Sequence, residues 1–144
     1  MWKDYIGAIS IEHSFTQPAS IGEIAQIKKK LNVELPKKLL ELYSETNGVF
    51  DSFNCPLIWS TSQIVEDNSF FRNFKDYKDI YMPFDHLLFF SDNGCGDLFG
   101  YRILSGSIQT EDIYVWNHED DSRTWVAPSL ELFIKGWITG EITT

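Results

Sequence analysis

The stretch IGEIAQIKKKLNVELPKKLLELYSETNG, residues 21–48, contains two helix patterns separated by a short corner. The first pattern begins with a capping box, because Ser20 and Glu23 have the spacing that lets each side chain accept a hydrogen bond from the other residue's backbone N–H. Lysines gather near its end, where cations interact favourably with the helix dipole, and Asn32 is a typical helix terminator. The apolar stripe of this predicted helix consists of Ile21, Ile24, Ile27 and Leu31.

A second predicted helix starts at Pro36, since proline lacks the N–H that the first turn of a helix leaves unbonded anyway. Leu39, Leu42 and Tyr43 give this helix a buried face. The Asn-Gly pair at 47–48 tolerates the left-handed conformation in which many helices end. Two short helices are therefore expected to meet at a tight corner.

Beyond this corner the sequence changes to short apolar runs between turn residues, a pattern typical of antiparallel strands. Residues 60–62 are serine and threonine, which cap helices, and they predict a third helix with Ile64 and Val65 on its apolar face. The aromatic stretch 73–82 shows no clear period, and we interpret it as a loop. The predicted strands are 55–59, 87–90, 98–103, 113–117 and 123–126.

A last helix is predicted to begin at 128–129 and to end at Gly140. Helices, then a run of strands, then a closing helix indicate the α+β class, because a parallel sheet needs a helix between successive strands. We predict one domain over residues 1–144, a mainly antiparallel sheet packed by N-terminal helices and a C-terminal helix. The predicted core residues are Ile24, Ile27, Leu31, Leu39, Leu42, Trp59, Phe89, Phe99, Tyr101, Trp116, Phe133 and Trp137.

Acidic residues outnumber basic ones by 21 to 12, which gives a net charge of −9 at pH 7. Nucleic-acid binders gain affinity from Lys and Arg that neutralise phosphates, so we expect no nucleic-acid partner. The first residues lack the apolar segment of a secretory signal, and the longest apolar run, LLFF at 87–90, is far shorter than the roughly 20 residues that span a bilayer. We therefore expect a cytoplasmic protein with no membrane partner. Cys55 and Cys95 are expected to be free thiols, buried or half-buried.

Several segments resemble the SUKH superfamily, the Smi/Knr-type domain, in the family's own order. The opening signature of a helix, a Leu-Pro corner, a second helix and a terminal Asn-Gly matches residues 21–48. The resemblance extends to about residue 137. The later matching segments are LFF at 88–90 with GCGDLF at 94–99 (a strand and a Gly-Asp turn), IYVWNHE at 113–119 (a tryptophan strand) and APSLELF at 127–133 (a closing helix).

The resemblance implies an α+β fold and a role in binding proteins rather than in catalysis. Bacterial members are typically immunity proteins that neutralise toxins, often nucleases, encoded beside them, whereas others, notably fungal ones, are regulatory scaffolds. We therefore expect a protein toxin as the partner, in particular a basic nuclease domain, with a regulatory scaffold as the alternative. An acidic protein suits a basic partner, because complementary fields speed encounter.

The sharpest local charge is the run HEDD at 118–121, directly after the strand that ends in Trp116 and Asn117. One interpretation is an anionic rim beside an aromatic anchor, an arrangement found at interaction hot spots. The other is a solvated hairpin turn with Trp116 buried in the sheet. The predicted partner-binding residues, which include the aspartate of the Gly-Asp turn, are Asp97, Trp116, His118, Glu119, Asp120 and Asp121.

An enzyme would be the distant alternative, a hydrolase with Cys95 as nucleophile and His118 as base, and with Asn117 or Asp120 orienting the ring. Against it, Cys95 is predicted in a turn between strands and not at a helix N-terminus, which would lower the thiol pKa. We therefore expect no catalytic residues and no enzymatic activity.

The oxygen-rich run 92–97 has the ligand types of a calcium loop, but it lacks the alternation and final glutamate of an EF-hand. Its Asn-Gly and Gly-x-Gly pairs instead predict a turn between two strands. His13 and His86 have no Cys or His at zinc-ligand spacing. We expect no metal and no cofactor.

Overall fold

The computed structural model describes all 144 residues, and its chain forms six helices and seven strands. The helices are α1 (Trp2–Ile9), α2 (Ile21–Leu31), α3 (Lys37–Tyr43), α4 (Thr61–Asn73), α5 (Lys75–Lys78) and α6 (Leu130–Thr139). The strands are β1 (Ser14–Phe15), β2 (Val49–Phe50), β3 (Pro56–Ile58), β4 (Leu87–Asp92), β5 (Leu98–Arg102), β6 (Ile113–Trp116) and β7 (Arg123–Ala127).

The strands form two antiparallel sheets, with orders β1-β2-β3 and β4-β5-β6-β7. The sheets are joined at β3 and β4, where the backbone N–H of Trp59 donates to the carbonyl of Phe90 at 2.9 Å. The hydroxyl of Ser91 also donates to the carbonyl of Leu57. This arrangement confirms the α+β class and the antiparallel sheet.

Helices pack on both faces of the four-stranded sheet, because successive strand residues point to opposite sides. On one face, Phe99 of β5 contacts Phe133 of α6 with ring centroids 4.8 Å apart. On the other face, Trp116 of β6 contacts Phe71 of α4 with centroids 5.5 Å apart. The acidic run predicted as a site follows Trp116, so it lies at the end of this second face.

The two predicted N-terminal helices are present, but the second ends earlier than predicted. Helix α3 stops at Tyr43 with Ser44 as its C-cap, and Asn47 lies beyond it, where its side chain accepts from the backbone N–H of Thr61 at 2.8 Å. The backbone N–H of Glu23 donates to the Ser20 hydroxyl at 3.1 Å, and that of Ser20 donates to the Glu23 carboxylate at 2.9 Å, which confirms the capping box. Asn32 ends α2 in the left-handed conformation with φ of 56°. The predicted helix cap at residue 60 is also present, because the Ser60 hydroxyl accepts from the backbone N–H of Gln63.

Most of the predicted core is buried, and two of its members are only partly so. Ile24 lines an open cleft against α3, and Trp137 lines a cleft beside the β2–β3 turn, so each keeps one side accessible to solvent. Tyr43 is fully buried, and its hydroxyl donates to the carbonyl of Trp59 at 2.5 Å.

The interpretation of 73–82 as a loop is wrong in its first part. Helix α4 extends to Asn73 and α5 follows directly. Phe70, Phe74, Tyr77 and Tyr81 recur at spacings of four, three and four, which is a helical period. Their rings pack on one another, and the ring centroid of Phe74 lies 4.8 Å from those of Phe70 and Tyr77. This packing stabilises the helical turns on which these residues lie.

Helix α1 and strands β1 and β2 were not predicted. Each strand has only two residues, whereas α1 does carry apolar residues at helical spacing, namely Trp2, Tyr5, Ile6 and Ile9. Cys55 and Cys95 are free, as expected, but both are exposed and not buried. The reason is that each lies in a turn at the end of a strand, outside the packed layers. None of the six helices combines the length and the apolar character needed to cross a membrane.

Candidate functional site

The acidic run forms the tight turn between β6 and β7. The backbone N–H of Asn117 donates to the carbonyl of Ser122, and that of Asp121 donates to the carbonyl of Asn117, both at 2.9 Å. Asp121 has φ of 60°, a left-handed conformation that aspartate tolerates better than most residues. These bonds give the turn one defined backbone conformation. We call residues 117–122 the acidic turn.

Asp121 points inward and holds the acidic turn against the sheet. Its carboxylate accepts hydrogen bonds from Trp116 Nε1 at 2.7 Å, from Arg123 Nη2 at 2.8 Å and from the backbone N–H of Met82 at 2.9 Å. Burial alone would raise the pKa of Asp121, but these three donors hold that pKa below its ordinary value. Asp121 is thus an ionised structural group.

His118 connects the acidic turn to the β4–β5 turn. Its Nδ1 lies 2.7 Å from Asp97 Oδ1, and its backbone N–H donates to the same oxygen at 3.1 Å. Asp97 is only 6% exposed. Gly96, with φ of +106°, lies so close to the imidazole that a Cβ there would be 2.9 Å from the ring. The structure therefore brings Asp97 and His118 together, as members of one predicted set.

Glu119 and Asp120 are the carboxylates of the acidic turn that remain exposed. The backbone N–H of Ser122 donates to Asp120 at 2.9 Å, and this bond lowers the pKa of Asp120. Trp116, by contrast, is 2% exposed, and its ring is covered by Tyr81 and Phe84. Trp116 and Asp97 thus support the turn from inside, while Glu119 and Asp120 face solvent.

A neighbouring surface that the sequence analysis missed comes from the segment between α5 and β4. The hydroxyl of Tyr81 donates to the carbonyl of His118 at 2.9 Å, so this segment is bound to the acidic turn. Ile80 and Met82 of this segment are exposed by 66% and 55%. Three further exposed carboxylates flank them, those of Asp76, Asp79 and Asp85.

No pattern within residues 73–85 marks this surface, because its position depends on a turn nearly forty residues further along the chain. Beside it lies a cleft of about 470 Å³ between α4 and residues 81–85. Its floor is formed by the rings of Phe71, Tyr77 and Phe84. Phe71 and Phe84 also pack against Trp116, so the cleft lies over the rings that cover this tryptophan, and Met82 lines it.

The two alternative kinds of site find little support in the geometry. No hydrogen bond joins the thiol of Cys95 to the imidazole of His118, whose Nδ1 is bonded to Asp97, so the nucleophile and base of the hydrolase alternative are not paired. The oxygens of Asp92 and Asn93 accept from backbone N–H groups of their own turn. No three His, Cys, Asp or Glu side chains are grouped closely enough to hold a metal ion.

Comparison with known proteins supplies the family. The family model described as SMI1-KNR4 cell-wall, of the SUKH group, matches residues 21–134. No curated protein matches the chain at a significant level. The match begins at α2, covers both sheets except β1, and ends within α6, so it includes the acidic turn and the segment bound to it. The chain therefore belongs to the SMI1-KNR4 family of SUKH domains.

Proposed function

We propose that this protein is an immunity protein that binds a toxin domain carrying a basic surface, a nuclease domain in particular, and covers its active site. Membership of the SUKH group is consistent with this role. The net charge of −9 favours association with a basic partner by electrostatic steering. In this proposal the protein acts by binding alone, in the cytoplasm, without catalysis, cofactor or nucleic acid.

The observation that carries the proposal is that one carboxylate of the acidic turn is bonded internally while two others face solvent. Asp121 is used internally by three donors, so the backbone of the turn is already ordered before any partner arrives. Glu119 and Asp120 are then presented to solvent on fixed backbone. Preorganised groups bind more tightly because little conformational entropy remains to be lost.

Ile80 and Met82 complete the proposed contact. They are exposed apolar side chains on a segment that donates to the acidic turn through Tyr81 and Met82. An apolar centre with a charged rim is the usual composition of a specific interface. The partner surface would accordingly offer an apolar depression surrounded by Lys and Arg.

Co-expression tests the function directly. The probe is the toxin domain encoded in the neighbouring reading frame, and host cells are expected to survive its expression only when this protein is present. If the toxin kills cells that contain folded protein, immunity toward that toxin is rejected. If no toxin gene lies nearby, the regulatory scaffold becomes the better hypothesis.

A charge-matched pair of variants tests the site. Glu119→Gln with Asp120→Asn is expected to slow association with the toxin roughly tenfold at low salt and to flatten its salt dependence. Glu12→Gln with Glu34→Gln removes the same net charge from exposed positions in other loops and should have little effect. Equal association rates for both variants would remove the acidic turn from the contact.

A further inference from the structure

The sheet has one long unprotected edge, and it lies next to the acidic turn. Strand β7 is the outer strand of the four-stranded sheet and begins directly after that turn, whereas β1, the other outer edge of the joined sheet, has only two residues. Natural proteins usually protect a long edge strand with lysine, proline or an inward-pointing charge, because its unpaired backbone groups invite pairing. Residues 124–127 of β7, Thr-Trp-Val-Ala, contain none of these.

The unpaired backbone groups of β7 follow from its register with β6. The backbone N–H of Asn117 donates to the carbonyl of Ser122. From there the register continues without a shift as far as Tyr114 opposite Trp125. Bonded and non-bonded pairs alternate along an antiparallel ladder, so the N–H and C=O of Arg123 and Trp125 point away from β6. No carbonyl elsewhere in the chain accepts from either N–H. An extended backbone is the partner that can bond to groups spaced in this way.

The free edge of β7 is continuous with the proposed contact surface. Arg123, the first residue of β7, donates through its guanidinium to the carbonyls of Met82 at 2.9 Å and Pro83 at 2.8 Å. The segment that carries the exposed Ile80 and Met82 is therefore bound to β7 as well as to the acidic turn. A partner that covers the acidic turn and these two side chains comes directly beside the free edge.

Carboxylates lie at both ends of the free edge. At the start of β7, the side chains of Glu119 and Asp120 are exposed. At its end, Asp112 precedes the β6 residue that is opposite Ala127, and its carboxylate accepts from the indole N–H of Trp125 at 3.0 Å. Two cations close to these ends already have carboxylate partners: Arg123 pairs with Asp121 at 2.8 Å, and Lys38 pairs with Glu131 at 2.9 Å and with Glu111 at 3.5 Å. The edge therefore attracts a basic segment, whereas a second copy of this chain, with its own charge of −9, would be repelled.

Trp125 gives the centre of the free edge a preference for arginine. Its side chain is 51% exposed, and the bond to Asp112 fixes its ring. A residue on an added strand that is bonded to Trp125 would have its Cα about 5.5 Å away and its side chain on the same face. A guanidinium there stacks on the indole, which is the best aromatic acceptor for a cation, and is attracted by the Asp112 carboxylate. Arg102 does not oppose it, because Arg102 lies two strands inward, on β5, over the ring of Tyr114.

We propose that β7 takes up an extended, basic segment of the partner protein as an additional strand, with an arginine opposite Trp125. Main-chain hydrogen bonds to Arg123 and Trp125 hold the segment, and its basic side chains reach toward Glu119 and Asp120. In the proposed function this segment belongs to the toxin domain, so the inference rests on that function and specifies how the toxin is held. A probe peptide tests the edge without the toxin.

The probe is the peptide Lys-Val-Thr-Arg-Thr-Val-Lys with blocked ends, in which one arginine lies at the centre of a strand-forming sequence. Titrated into isotope-labelled protein, it should slow the hydrogen exchange of the Arg123 and Trp125 amides at least about threefold, as measured by NMR. Half of this effect is expected at about 0.1–5 mM peptide, since one strand buries little surface. The amide of Thr124, which points toward β6, should not change.

The control peptide carries an N-methyl group on the backbone nitrogen of its arginine. This group keeps the charge of the peptide and removes one backbone donor, so the control should bind at least about fivefold more weakly. Unchanged exchange of the Arg123 and Trp125 amides, or equal binding of the two peptides, would overturn the proposal.

Two substitutions at one position separate the backbone of Trp125 from its ring. Proline is tolerated in an edge strand where its nitrogen faces solvent, so Trp125→Pro removes the free N–H, while Trp125→Ala keeps it and removes only the indole. Trp125→Pro should bind the peptide at least about threefold more weakly than Trp125→Ala. Equal binding by the two folded variants would contradict the proposal, and if Trp125→Pro fails to fold, the N-methylated peptide decides.

Hydrogen exchange in the complex with the neighbouring toxin domain distinguishes this inference from the proposed function. If the toxin binds and the Arg123 and Trp125 amides exchange as in the free protein, the strand proposal is wrong and the immunity role is unaffected. If the toxin does not bind but the peptide does, the immunity role is rejected and recognition of a basic strand by β7 is supported. Slowed exchange in both complexes supports both.

Discussion

The β4–β5 turn and the acidic turn both join neighbouring strands of one antiparallel sheet, but they are held by different partners. In the first, Asp92 and Asn93 accept from backbone N–H groups at most four residues away, and Asp92 also accepts from the indole N–H of Trp59 at 2.7 Å, 33 positions distant. In the second, Asp121 accepts from Met82, which is 39 positions distant. The local bonds that close the β4–β5 turn can be recognised in a sequence, whereas the distant donors, Trp59 to one turn and Met82 to the other, cannot.

The largest test of this difference is the truncation of Trp116, the buried donor to the acidic turn. Trp116→Ala should lower the free energy of unfolding by about 4 kcal/mol, because it empties a site packed by Tyr81 and Phe84 and removes a donor to Asp121. Trp125→Ala on the adjacent strand is the matched control, with an expected loss of less than about 1 kcal/mol, since Trp125 is 51% exposed. Equal losses in urea unfolding would mean that Trp116 is not buried.

Removal of the charge on Asp121 should have the next largest effect. Asp121→Asn leaves Arg123, whose side chain is only 9% exposed, without its carboxylate, so a loss of about 2–3 kcal/mol is expected. Asn93→Ala in the β4–β5 turn removes two bonds to local N–H groups and should cost about 1 kcal/mol. If the two costs are the same, the acidic turn does not depend on its distant partners.

The parts of the fold that were predicted correctly are those with local signals. The capping box at Ser20, the terminator Asn32 and the start of α3 after Pro36 each depend on neighbouring residues only, and all three are present. The strands from β4 to β7 alternate apolar runs with turn residues, and their order along the chain also matches. Helix α5 was missed although its aromatic residues have helical spacing, because the period of Phe74, Tyr77 and Tyr81 is apparent only when they are counted together with Phe70 of α4.

The geometry of the acidic turn could be predicted only in part for the same reason, and its role in binding stays a prediction. The charge of the acidic turn is visible in the sequence, and so is its position after the Trp116 strand. The separate roles of Asp121 and Glu119 are not visible in the sequence, because they depend on which carboxylate accepts hydrogen bonds from Met82 and Arg123. The exposed Ile80 and Met82 have no signal of their own.

The pH dependence of stability should separate Asp121 from the other carboxylates. The folded-state pKa of Asp121 lies below its ordinary value of 3.8, so its ionised form adds stability above that value and loses it as the pH falls through the folded-state pKa. The stability difference between wild type and Asp121→Asn should therefore stay constant from pH 7 to about pH 4 and shrink below it. The pKa of Glu45 is also lowered, but Glu45 is present in both proteins and cancels in the difference. A difference that already changes near neutral pH would contradict this assignment.

The smallest predicted effect concerns the contact between the two turns. Gly94 and Gly96 both have positive φ, 79° and 106°, so alanine should cost about 1–2 kcal/mol at either position through backbone strain. Only at Gly96 would the new Cβ also meet the His118 ring, at 2.9 Å, whereas Gly94 has open space around it. Gly96→Ala should therefore cost about 1 kcal/mol more than Gly94→Ala.

A double-mutant cycle tests whether this excess comes from the His118 ring. His118→Ala removes the ring, so combining it with Gly96→Ala should abolish the excess, whereas the stability losses of His118→Ala and Gly94→Ala should be additive. Additivity in both cycles would mean that the imidazole does not connect the two turns.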